Sequence, residues 1–207
     1  MSFAPVAYFS PVRVIPVLTP STAATGVAVS RILFEAGLRI QEITLRNPSG
    51  LETISALRRD LPELVVGAGS VLTPRAGEDA IQAGAQFLVS PGITEALLQF
   101  AVGCGVAFVP GVASVSEMMR VQALGCELAK LFPAQALGGV GFLRSIVGPL
   151  PSMKFCPTGD LDAGLAADYL ALTNVAAVGG SWMAPKELVE RGRFADIRPL
   201  AEQAAAL

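Results

Sequence analysis

The chain has 207 residues, 52% of them hydrophobic and 15% charged, with a formal net charge of −2. This length suits one domain with a large core, and the composition excludes a disordered chain. The 12 arginines and 3 lysines are scattered, which excludes a nucleic-acid-binding stripe, and no apolar run reaches the ~18 residues of a membrane span.

In chain order, residues 1–12 read as an apolar, proline-interrupted extension without the basic cluster of a signal peptide. A first strand is expected over 13–18 and a helix over 23–36, ending at Gly37. Strands follow over 40–45, 64–67 and 86–89, with a helix over 76–83 ending at Gly84. Next come a helix over 95–102 ending at Gly103, a strand over 106–109 and a helix over 115–124 ending at Gly125. The last strands are expected over 128–132, 153–156 and 175–178, and residues 185–207 read as a terminal helical segment. Eight strands, one per roughly 26 residues, predict a single α/β domain over 1–207, a (β/α)8 TIM barrel. An open doubly wound sheet is the rival architecture.

Histidine is absent, which removes Ser-His-Asp and Cys-His nucleophiles, His-ligated zinc and imidazole acid–base chemistry. Three well-separated cysteines, Cys104, Cys126 and Cys156, fit a reducing compartment, so the cytoplasm is the expected location.

Lys130 sits near the carboxyl end of the sixth expected strand, where barrel active sites collect. Alternation puts Leu128, Lys130 and Phe132 on one face. An inward amine among apolar neighbours has its charged form disfavoured and can attack a carbonyl. Lys154 starts its strand and belongs at the opposite end of the barrel, and Lys186 falls in a surface helix. On the second strand, Ile40, Glu42, Thr44 and Arg46 share a face. A carboxylate there can shuttle protons, and a guanidinium can fork onto a substrate carboxylate. The competing reading is an ion pair, Glu42–Arg46 or Glu42–Lys130, that serves only the interior. Small-residue loops follow the strands: Gly67-Ala68-Gly69-Ser70, Ser90-Pro91-Gly92, Pro110-Gly111, Pro157-Thr158-Gly159 and Gly179-Gly180-Ser181-Trp182. The last two stand where barrels often bind phosphate.

Glu42-Ile43-Thr44-Leu45-Arg46, Gly67-Ala68-Gly69-Ser70-Val71-Leu72, Ser90-Pro91-Gly92, Lys130-Leu131-Phe132-Pro133-Ala134, Phe155-Cys156-Pro157-Thr158-Gly159 and Gly179-Gly180-Ser181-Trp182 resemble the 2-keto-3-deoxy-6-phosphogluconate/4-hydroxy-2-oxoglutarate aldolases, class I pyruvate aldolases. The resemblance runs from about Pro11 to the end of the chain. It implies a lyase that cleaves 2-keto-3-deoxy-6-phosphogluconate reversibly to pyruvate and glyceraldehyde 3-phosphate. It further implies an imine on Lys130 with no metal or other cofactor, Glu42 as proton shuttle, and Arg46 and Ser70 on the pyruvyl carboxylate. Pro91 and Phe132 would pack around the pyruvyl end, Thr158 would touch the hydroxyl-bearing part, and Gly159, Gly180 and Ser181 would receive the phosphate. The partners implied are a 2-keto acid substrate and two further copies in a homotrimer, with neither nucleic acid nor membrane.

Two departures concern the phosphate end. Asp160 stands where the family commonly has glycine, and Thr19-Pro20-Ser21-Thr22 carries no basic residue. Asp160 either faces the phosphate or turns away to cap the following helix. Its charge motivates an alternative substrate, 4-hydroxy-2-oxoglutarate or an unphosphorylated 2-keto-3-deoxy sugar acid. From other classes, a non-catalytic phosphosugar-binding barrel and a phosphate-binding isomerase are the rivals.

Overall fold

The apolar runs become short parallel strands separated by helices in the computed structural model, which describes residues 6–9 and 12–207. The expected extension over 1–12, and Pro11 where the resemblance begins, therefore lie partly or wholly outside the described residues. The strands are β1 (Val14–Leu18), β2 (Ile40–Thr44), β3 (Val65–Gly69), β4 (Phe87–Val89) and β5 (Ala107–Val109). They continue with β6 (Gly111–Val112), β7 (Leu128–Leu131), β8 (Lys154–Pro157) and β9 (Val178–Gly180). The helices are α1 (Val6–Phe9), α2 (Ala23–Glu35), α3 (Ser49–Asp60), α4 (Pro74–Gln82) and α5 (Glu95–Gly103). After these come α6 (Val115–Ala123), α7 (Gly139–Ile146), α8 (Ala163–Leu170), α9 (Lys186–Glu190) and α10 (Ile197–Ala205).

Six strands pair in the order β5-β4-β3-β2-β1-β9, and three in the order β6-β7-β8, every pair parallel. Only Pro110 separates β5 from β6. Proline has no N–H to give a ladder, but its carbonyl accepts the Lys130 amide at 2.9 Å. The loop expected at Pro110-Gly111 is thus extended chain. Isolated bridges join Phe155 to Val175 and Thr158 to Gly179, beside β8 and β9. The last expected strand, 175–178, is displaced to Val178–Gly180 because Val14, Ile15 and Pro16 pair with Val178, Gly179 and Gly180.

Parallel strands packed on both faces lose the simple inside–outside code of a half-exposed sheet. All five residues of β2 are buried. Ile43 turns to the helices, and the Gln41 amide donates to the Ser30 and Leu38 carbonyls at 3.1 and 3.0 Å, while Glu42 takes the other face. On that inner side Phe9 of α1 meets the Phe87 ring edge-on, 5.2 Å between centroids. Outside, α2 packs on α3 and α10.

Candidate active site

Glu42 and Lys130 lie 88 residues apart in sequence, and β2 and β7 bring them together. Lys130 Nζ is 3.4 Å from Glu42 Oε1, with both side chains about 95% buried. The carboxylate has room because β3 ends in Gly69: a Cβ there would overlap the Glu42 carboxyl group. The Phe132 ring, one residue beyond β7, has its centroid 5.3 Å from the amine, as alternation along the extended chain places it. Lys130 therefore faces a carboxylate as well as apolar groups. At 3.4 Å the contact is longer than the ~2.7–2.9 Å of a tight charge-assisted bond. A buried pair kept for stability alone needs excellent geometry to offset desolvation. This loose single contact lacks it.

The nearest thiol is inert. Cys156 pairs with Lys130 across β7 and β8, and burial pushes its thiol up to about 12, with Lys130 pulling down and Glu42 pushing up. It stays protonated at neutral pH and does not compete as a nucleophile.

Arg46 follows β2 in an exposed position, and its Nε donates to Ser70 Oγ at 3.2 Å. Ser70 adopts φ 57, a left-handed turn just after β3. Behind it, Thr44 and Thr19 share a hydroxyl hydrogen bond of 2.8 Å. This places a guanidinium fork just past the carboxyl end of β2, the strand that carries Glu42.

A cavity of about 610 Å³ opens here, and its lining includes Arg46, Phe132, Thr158, Gly159, Gly180 and Ser181. Ser70 joins it through Arg46. Lys130 and Glu42 line a separate void of about 10 Å³, together with Phe9, Phe87 and Cys156. Phe132 and Thr158 belong to the cavity wall and also reach the pair's surroundings, Phe132 at the Lys130 amine and Thr158 at the Cys156 carbonyl. Pro91 does not line the cavity. Its backbone packs where a Cβ on Gly111 would sit, so it shapes the β4 loop instead. The glycines read as turns also serve close packing: a side chain at Gly179 would strike Thr158, and one at Gly180 would strike Trp182.

Asp160 does not cap the next helix. Asp162 does, accepting the Leu165 amide at 2.8 Å, while Asp160 takes φ 54 and lines the cavity. Lys154, expected away from the site, donates to the Thr173 carbonyl at 2.7 Å. Lys186, read as a surface-helix residue, is exposed on α9 but also lines the cavity, as does Glu190. No local spacing reveals this, because it depends on how α9 folds back after β9. Among the described residues, no three His, Cys, Asp or Glu side chains gather as metal ligands would.

The model of the family described as KDPG and KHG aldolase matches residues 7–200. The chain belongs to that family. It is 44% identical to the 2-dehydro-3-deoxy-phosphogluconate aldolase of Pseudomonas aeruginosa over 192 residues, 93% of this chain and 87% of that one. It is 40% identical to the KHG/KDPG aldolase of Escherichia coli over 191 residues, 92% and 90% of the two chains. Among solved structures it is similar to the KDPG aldolase of Legionella pneumophila with pyruvate captured at low pH as a covalent carbinolamine intermediate. The TM-score is 0.93, with 38% identity and 97% of each chain covered. Within this KDPG and KHG aldolase fold, a buried amine, a carboxylate beside it and a guanidinium at the rim suit covalent carbonyl chemistry with proton transfer.

Proposed function

We propose that this chain is a class I aldolase, a lyase that cleaves 2-keto-3-deoxy-6-phosphogluconate reversibly to pyruvate and glyceraldehyde 3-phosphate. The observation that carries the reading is the loose, buried Lys130–Glu42 pair beside the Arg46–Ser70 rim. The covalent carbinolamine named for the Legionella relative supports it.

In this reading Arg46 and Ser70 hold the substrate carboxylate and Phe132 packs against the pyruvyl carbons. The deprotonated amine of Lys130 adds to C2, and the carbinolamine loses water to give an iminium. Glu42 takes the C4 hydroxyl proton, the C3–C4 bond breaks, and its electron pair moves to the iminium, leaving an enamine and the aldehyde. Protonation at C3 and addition of water then release pyruvate and restore the amine. The protonated imine is the electron sink, so no metal or other cofactor enters. Thr158 meets the hydroxyl-bearing carbons, and Gly159, Gly180 and Ser181 offer the phosphate small, close-approaching backbone. The frame in this reading is one domain over 1–207, a single (β/α)8 barrel, and the continuity at Pro110 and the bridges beside β8 and β9 support it. A homotrimer belongs to the same reading.

Borohydride added with pyruvate should trap a covalent adduct on Lys130, and Lys130→Ala should lose both adduct and turnover. An unmodified Lys130, or activity that survives the substitution, overturns the mechanism. Asp160 in the cavity wall favours a second substrate reading, 4-hydroxy-2-oxoglutarate or an unphosphorylated sugar acid. Equal kcat/KM with and without the phosphate would select it.

A further inference from the structure

Among the described residues, the charged side chains lining the large cavity are Arg46, Asp160, Lys186 and Glu190. Arg46 is engaged with Ser70 beyond β2, at the end assigned to the carboxylate. The other three belong to the loop after β8 and to α9, beside Gly159, Gly180 and Ser181. The loop after β1 that enters the same wall, with Thr19, Pro20 and Ser21, brings no charge. A distal anion therefore meets one cation, Lys186, and two carboxylates.

We propose that Lys186 is the residue that sets this enzyme's selectivity for a phosphorylated distal end, and that Asp160 opposes it. The inference rests on the aldolase reading above and adds a residue to it. Lys186 can move to a ligand because little holds it. Its side chain is 80% exposed, and its one ion pair, with Glu190 at 3.5 Å, is the weak kind found one helical turn apart on a surface. A phosphate dianion competes well for such an ammonium, since it offers more charge and three acceptor oxygens. Asp160 lines the same wall from a left-handed turn, φ 54, a region that glycine enters freely. Glycine at 160 would remove the charge and keep the turn.

The test compares kcat/KM for retro-aldol cleavage of 2-keto-3-deoxy-6-phosphogluconate and of its unphosphorylated counterpart. The ratio of the two values should fall about tenfold in Lys186→Ala, the scale of one solvent-exposed charge-assisted contact, and the loss should appear in KM rather than kcat. Lys186→Arg should restore most of the ratio, and Asp160→Gly should raise it. Added salt should lower the parent's ratio more than that of Lys186→Ala, because the contact is exposed and screened. An unchanged ratio in Lys186→Ala overturns the role of Lys186, whatever the parent's preference. A parent that cleaves neither substrate instead overturns the aldolase reading on which the inference stands.

Discussion

Two thiols in this chain are held protonated by burial. Cys126 and Cys156 each rise from 9.0 to about 12, in both cases mainly through desolvation of the thiolate. Between those values the unfolded chain has released its thiol protons while the folded chain keeps them. Stability from this source is thus complete below pH 9 and is lost as pH rises toward 12. Urea midpoints should fall between about pH 8 and about pH 10.5, and the fall should be smaller in Cys126→Ala, which lies away from the site. Cys104, half-buried, should be alkylated first by iodoacetamide in the native protein. At this same scale Glu42 and Lys130 are legible in the sequence as inward polar groups, because alternation along a strand is a local property. Asp160 is not: two aspartates precede α8, and only the folded loop shows that Asp162 caps it while Asp160 lines the cavity.

Helices α2, α4, α5, α6 and α8 begin where a side chain satisfies one of the first amides. Thr22, Thr73, Thr94 and Ser114 each accept a hydrogen bond from the residue three further on, and Asp162 does the same for α8. At α6 the box is reciprocal, since Glu117 accepts the Ala113 and Ser114 amides at 2.7 and 3.0 Å. Ser114→Ala should cost about 1 kcal/mol, read as a lower urea midpoint at unchanged slope. Glycine ends α2, α4 and α6 as the sequence predicts, with Gly37, Gly84 and Gly125 at positive φ. At α5 the helix runs through Gly103, and Gly105 takes the left-handed turn. Helix α3 is not legible in the sequence: its buried residues are Gly50, Thr53, Ile54 and Leu57. Two of these four core positions carry a glycine and a threonine, so the apolar content of the segment is low. At α7 the start signal is missing, because its N-cap, Gly138, has no side chain to offer the first amides.

Over the whole molecule, α1 closes the core beneath the site. Phe9 is buried against Phe87 and lines the small void with Glu42 and Lys130. Phe9→Ala should destabilise the fold by about 3–5 kcal/mol, measured by denaturant unfolding, because a ring leaves a cavity its neighbours fill only partly. Composition and strand spacing indicate an α/β fold, and the missing histidines direct attention to Lys130 and Glu42. Both inferences need only counts and the two-residue period of extended chain. That Lys130 meets Glu42 at 3.4 Å, that Gly69 makes space for the carboxylate, and that Lys186 and Asp160 share a cavity wall are visible only in the folded chain. Those contacts join residues far apart in sequence, and their distances follow from strand register and loop path, which no local pattern encodes.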